Sequence, residues 1–299
     1  MAINVDFVKN WSSPVVRQTY SEKDAILYAL ALGYGSQPNS PDELRFVYEK
    51  GMQAVPTLAT TLCYPGFWIT DPRTGIDASK AVHGEHKVIF HAPLPAKGNV
   101  RGQSRVVDLI DKGPEKGALL IFERDIYNDD TGVLLASIEH RTVCRADGGF
   151  STNSANLHSP VASAPSPLSK SPATAPWLQR DADYSVDIAS LPQASLIYRL
   201  SADPNPLHAD PQAARAAGFS RPIMHGLCTY GIVARAIMAV CCENNADALK
   251  TLGIRFLAPV FPGETIRTEI WKDSDVLHYR CLLPDRNTIV IATGTADIA

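Results

Sequence analysis

Residues 265–270, Thr-Ile-Arg-Thr-Glu-Ile, alternate apolar and polar with period two, the mark of a strand with one buried face. This stretch lies within one of four successive runs, 249–258, 264–272, 276–283 and 288–297, and Pro262-Gly263 and Asp285-Arg286-Asn287 supply turns between them. Just before this series, residues 226–240 are apolar nearly all round, as expected of a helix wrapped on most sides. A long buried helix followed by an antiparallel meander predicts an α+β unit in which a sheet curls round a helix. The first half repeats the meander at 82–91, 99–110, 118–127 and 132–145.

The two halves also match in detail. Phe90-His91-Ala92-Pro93 answers to Phe256-Leu257-Ala258-Pro259 at an offset of 166, and Tyr28-Ala29-Leu30 answers to Tyr198-Arg199-Leu200 at an offset of 170. The matches keep their order, which favours a duplicated fold with one small insertion or deletion between the copies. Residues 159–176 form a Pro/Ser/Ala tract that cannot build a core and reads as a semi-extended connector between near-equal parts.

Composition adds limits. The chain has 299 residues, 45% hydrophobic and 20% charged, in keeping with a globular protein that has a substantial core. Its formal net charge is −3 and it has no basic run, so no nucleic-acid partner is expected. The apolar stretch 226–242 is interrupted by Arg235 and is too short and mixed to span a membrane. Six cysteines lack any C-x-x-C pair, which suits reduced thiols; the opening residues lack a signal-peptide pattern. The cytoplasm is the default compartment. A peroxisomal location stays open for a eukaryotic source, although Asp297-Ile298-Ala299 is not a Ser-Lys-Leu-type address.

The densest group of polar residues is 198–208, Tyr-Arg-Leu-Ser-Ala-Asp-Pro-Asn-Pro-Leu-His. Its two prolines force turns, so the Asp203 carboxylate and the His208 imidazole can converge on one pocket. Adding water across a double bond needs such a pair, one group to take a proton from water and one to return a proton to carbon. The same residues could instead make Asx turns or cap a short helix near 211–217. His83-Gly84-Glu85-His86 offers metal-ligating types, but on a regular strand His83 and Glu85 share a face and His86 points away, so no metal site is expected.

The 198–208 segment resembles the hydratase 2 motif of the MaoC-like and multifunctional-enzyme-type 2-enoyl-CoA hydratases: an aromatic, an aliphatic, a small residue, Gly-Asp, any residue, Asn-Pro, an aliphatic and His. The resemblance extends to 24–35, Val82-His83-Gly84-Glu85, Pro93–Pro95, Asp111-Lys112-Gly113, Met224-His225-Gly226 and 255–263, and so spans nearly the whole chain outside the linker. The chain departs from the pattern at Ala202, where Gly is usual, and at Pro204, often a bulkier residue.

The resemblance implies a tandem hotdog fold, each unit a long central helix wrapped by an antiparallel sheet. Residues 1–150 would form a degenerate, substrate-binding hotdog, 151–180 the linker and 181–299 the catalytic hotdog. It further implies (R)-specific hydration of trans-2-enoyl-CoA to (3R)-3-hydroxyacyl-CoA in fatty acid metabolism, without cofactor or metal. Asp203 and His208 would activate the water, Asp203 favoured as base, while Asn205 orients the pair or contacts the thioester. Gly226 would supply an oxyanion donor at the helix N-terminus. His83 and Gly84 would meet the thioester or pantetheine, Lys112 the CoA phosphates, and Phe256 the substrate. The first half has Gly33 and Pro38 where an acid/base pair would stand, so one active site per chain is expected. A hotdog thioesterase and a non-catalytic acyl-thioester-binding module are the alternatives. An acyl-CoA is the expected partner, and a homodimer is left open.

Overall fold

The computed structural model describes residues 2–151, 175–201 and 203–299; most of the Pro/Ser/Ala tract and Ala202 lie outside them. The first half contains helix α1 (Val5–Lys9), strand β1 (Val16–Tyr20), helices α2 (Glu22–Ala31) and α3 (Pro41–Leu44), and strands β2 (Ala81–Phe90), β3 (Gly98–Asp111), β4 (Ala118–Asn128) and β5 (Leu134–Cys144). The second half contains β6 (Tyr184–Ala189), α4 (Ala194–Tyr198), α5 (Pro211–Ala216), α6 (Gly226–Cys241), β7 (Leu249–Phe256), β8 (Thr265–Asp273), β9 (Val276–Leu283) and β10 (Thr288–Ile298).

All ten strands join one antiparallel sheet in the order β1-β3-β4-β5-β2-β7-β10-β9-β8-β6. The order is palindromic: β1 to β5 stand at mirrored places to β6 to β10. The halves meet where β2 pairs with β7, and there Lys87 faces Gly253. These two positions are separated by the 166-residue offset between the halves, so the pseudo-twofold axis of the duplication passes through this pair. The tandem hotdog arrangement is the observed one.

Helix α6 forms as its pattern predicts. Ten of its residues are buried, among them Cys228, Tyr230, Ile232 and Ile237, and it packs inside the curled sheet. Arg235 is tolerated inside this apolar helix because it reaches the first half. It donates to Leu32 O at 3.0 Å and forms an ion pair with Glu43, both side chains being nearly buried. Gly33 ends the turn after α2 with φ +84°, and a Cβ there would lie 2.8 Å from Arg235 Nη1. Helix α2 itself starts from a capping box between Ser21 and Asp24.

The two halves differ where the central helix would stand. The 170-residue offset carries Gly226 onto Pro56, but no long helix starts there. A 3₁₀ turn over Pro56–Thr61 takes its place, with every residue buried. The Thr60 and Thr61 hydroxyls donate back to Thr57 O at 2.8 Å and Leu58 O at 2.9 Å, which favours the tighter winding. Cys63 and Gly66 then adopt positive φ, and Pro65 between them lacks an N–H, so a helix cannot continue. The central helix expected of each unit is therefore present in the second half and replaced in the first.

Candidate active site

The two prolines shape the 203–208 turn as their positions suggest. Asp203 Oδ1 accepts from the Asn205 N–H at 3.1 Å, and Asn205 Oδ1 accepts from the Leu207 N–H at 3.0 Å. Successive Asx-type bonds of this kind replace regular structure and start a single 3₁₀ turn, Pro206–His208. Turn chemistry and convergence thus occur together, because the turn carries His208 back beside Asp203. The donor atoms of Asp203, His208 and His225 lie within 4.8 Å of one another.

His208 is held from two sides. Its Nδ1 lies 2.9 Å from Ile223 O, and since a carbonyl only accepts, Nδ1 carries the proton and Nε2 presents a lone pair. Its ring stacks on that of His225, with centroids 3.8 Å apart and planes 29° apart. Burial lowers the His208 pKa, partly opposed by the Ile223 carbonyl and the Asp203 charge, so the ring is neutral near pH 7. His225 is pushed further, to about 3, chiefly by burial and then by His208. Its Nε2 donates to Asp203 O at 3.1 Å, fixing the backbone of the residue whose carboxylate is displayed. The sequence pattern marks His225 only as the start of α6 and gives no sign of this role.

His225 is the N-cap of α6 but makes no side-chain cap, and Gly226 and Leu227, the first two residues of the helix, border the site. Glycine leaves room there for an aromatic neighbour. A Cβ on Gly226 would lie 3.3 Å from Phe256 Cζ, so the ring covers the helix N-terminus. Phe256 in turn packs on His83, with centroids 5.2 Å apart.

These groups line one cavity of 1090 Å³. Asp203, Asn205, His208, Gly226, His83, Gly84 and Phe256 all border it. Lys112 is not in its lining. It is exposed in the turn after β3, where its N–H donates to Gly117 O and Asp111 accepts from the Gly113 N–H. The cations that do border the cavity are Lys80, Arg141, Arg145 and Arg255. Tyr64, Phe67 and Trp68, from the chain that replaces the first-half helix, complete the apolar wall. No periodicity in the sequence marks these aromatics as part of a site.

The expected orientation of His86 is corrected. The β2–β5 register shifts between His83 and Glu85, so Gly84 is a bulge and the alternation of faces resets. His83 and His86 therefore share a face with His140 of β5, and the donor atoms of the three lie within 4.8 Å of one another. Two groups of side chains among the described residues could thus hold a metal ion: this one and Asp203, His208 and His225.

The MaoC-like domain family matches residues 170–280, and the family described as the MFE-2 hydratase 2 N-terminal domain matches residues 18–146. The chain is 37% identical to the enoyl-CoA hydratase ChsH3 of Mycobacterium tuberculosis, over 98% of both chains. It is 36% identical to the peroxisomal enoyl-CoA hydratase 2 of Arabidopsis thaliana, over 99% of this chain and 95% of that one. A MaoC-like dehydratase from Phytophthora capsici superposes with a TM-score of 0.80 at 25% identity, over 99% of this chain and 98% of the other.

Proposed function

Because the chain belongs to the MaoC-like hydratase 2 family, we propose that it adds water across the 2,3 double bond of a trans-2-enoyl-CoA, giving the (3R)-3-hydroxyacyl-CoA, and catalyses the reverse dehydration. One observation carries the reading: Asp203 and the free Nε2 of His208 converge beside the N-terminus of α6 in a cavity large enough for an acyl thioester.

One water can be held by two acceptors, the Asp203 carboxylate and His208 Nε2. As its oxygen bonds to C3, Asp203 takes a proton, and the π electrons move toward the thioester carbonyl. Negative charge gathers on that oxygen, where the Gly226 N–H and the positive end of α6 stabilise it. A proton then passes from the Asp203–His208 pair to C2, with His208 assisting its delivery. One proton leaves water and one reaches carbon, so the pair is unchanged over a cycle and its protonation belongs to both members. Asn205 holds the turn that presents Asp203. His225 is a positioning residue, acting on the Asp203 backbone and the His208 ring.

Lys80, Arg145 and Arg255 border the cavity and suit the CoA phosphates better than Lys112 does. His83 and Gly84 would flank the pantetheine. The first half, residues 1–150, serves as the non-catalytic wall of the site. It offers Gly33 where the second half has Asp203.

The test is direct. Purified protein, in buffer containing EDTA, should deplete the conjugated enoyl-thioester absorbance, with chiral chromatography identifying the (3R) product. Free CoA thiol without a hydroxyacyl product would mean hydrolysis instead. Ligand binding without turnover would leave only a carrier.

A further inference from the structure

The hydration chemistry makes no use of the second histidine cluster. His86 and His140 face one another across the β2–β5 pairing, and the Gly84 bulge brings His83 onto the same side. Gly84 packs tightly at the bulge, where a Cβ would lie 3.1 Å from Val143 Cγ2. His86 is 1% exposed and His140 8%. Both ring nitrogens of His86, and Nε2 of His83, are buried without a hydrogen-bond partner. Buried polar atoms are almost always satisfied, so three orphaned imidazole nitrogens in one place require a cause.

The ring spacing suggests one. Three imidazoles bound to one zinc ion with Zn–N of about 2.0–2.1 Å hold their centroids roughly 5 Å apart. The three pairs here are separated by 5.3, 4.7 and 4.4 Å. His208 and His225 stand closer, at 3.8 Å, and each already spends one ring nitrogen on a backbone carbonyl. His83 and His140 also border the cavity, which provides an entry path.

We propose that His83, His86 and His140 bind a divalent transition-metal ion through three imidazole nitrogens, with the open coordination position facing the cavity. Three neutral nitrogen donors suit zinc and its neighbours rather than magnesium or calcium. The buried Arg124 guanidinium, which donates to Thr60 O at 2.7 Å, lies near enough for its charge to act on His86 and His140. It weakens the site relative to one with a carboxylate or thiolate ligand. Phe256 packs on His83 and covers Gly226, so it stands between the ion and the helix N-terminus. The ion therefore braces the cavity wall and is separate from the water-activating pair.

EDTA-stripped full-length protein would be titrated with zinc against a chromophoric chelator, then loaded with cobalt(II) for visible spectroscopy. The expected result is about one equivalent bound, with d–d bands of a four- or five-coordinate nitrogen-rich site. His86→Gln and His140→Gln should each weaken binding by about tenfold or more, while His225→Gln leaves it unchanged. Zinc should raise the thermal midpoint of the wild-type protein in a concentration-dependent way, and not that of His86→Gln. If those variants do not fold, the exchangeable paramagnetically shifted imidazole N–H signals of the cobalt-loaded wild type count the ligands directly. Three such signals support the site. Fewer than three, no cobalt bands, or binding abolished by His225→Gln would overturn it.

Discussion

The His208 imidazole lies against that of His225 with centroids 3.8 Å apart, and each ring is tied to a different backbone carbonyl, Ile223 O for one and Asp203 O for the other. Both bonds require N–H donors, so the pair locks two tautomers at once. His208 can then act only through Nε2, and only while neutral. Burial holds its pKa below the usual value near about 6.5. Activity should therefore stay level from neutral pH down to about 6.5 and fall below it. The measurement is kcat/KM against pH for one enoyl-CoA. An acid limb centred at or above neutrality would contradict the assignment.

The same two histidines make folding stability depend on pH. Each has a folded pKa below its unfolded value, His225 at about 3. The unfolded chain consequently binds more protons than the folded one as pH drops below about 6.5. Their contribution is complete above the unfolded value and is lost as pH falls toward the folded ones. His225 adds up to about 1.4 kcal/mol per pH unit to that slope. Urea unfolding with EDTA present, at several pH values between 7 and 4, should show stability declining with acid. In His225→Gln the decline should be shallower by nearly one proton; an unchanged slope would show that His225 is not buried neutral.

Asp203 and His208 are predicted to act as one unit on one water. Asp203→Asn and His208→Gln should each lower kcat by about 10²–10⁴-fold. The double variant should be little worse than the worse single one, because groups serving one proton transfer are not additive. Multiplicative losses, with circular dichroism showing all three proteins folded, would separate their roles.

Gly226 allows a cleaner test of the oxyanion donor than most positions. It is the first residue of α6, where proline fits a helix well, and His225 before it has ψ 134°, compatible with a proline at the next position. Gly226→Pro removes the N–H but keeps the helix. Gly226→Ala keeps the N–H and adds a Cβ 3.3 Å from Phe256 Cζ, which measures the steric cost alone. The proline variant should lose about 2.7–4 kcal/mol of transition-state stabilisation, the alanine variant much less. Equal losses would assign the effect to Phe256 rather than to a hydrogen bond.

Features governed by local rules are legible in the sequence. Period-two alternation marks β8, and the offset between Phe90 and Phe256 equals the separation of the paired Lys87 and Gly253. Pro204 and Pro206 tell of a turn that can unite Asp203 with His208. Contacts made through space or by irregular backbone are not legible in this way. The bulge at Gly84 turns His86 to the side that strict alternation denies it. His225 gains its role by stacking on a residue in another element. Lys112 matches a motif, but its turn is built around Asp111, which accepts from the N–H groups of Gly113, Gly149 and Ser151.

The replaced helix of the first half leads to a prediction about substrate length. In the second half α6 fills the inside of its sheet, whereas Pro56–Thr61 makes one short turn and the chain then opens. Thr60 and Thr61 at the end of that turn, and Tyr64, Phe67, Trp68 and Ile69 after it, border the cavity. An acyl chain that runs along these side chains in the 1090 Å³ cavity would gain about 0.8 kcal/mol for each methylene buried. Part of that gain is lost to immobilising the chain, but the sign is retained for as long as methylenes find wall. Decenoyl-CoA should therefore be turned over with a higher kcat/KM than crotonyl-CoA. A series from four to sixteen carbons tests this, with kcat and KM determined separately. The rise should end in a plateau or a fall once the chain outgrows the cavity. A steady decline beyond four to six carbons would mean that the Thr60–Ile69 wall is closed to acyl chains, leaving the first half to support the catalytic unit only by completing the sheet at β2.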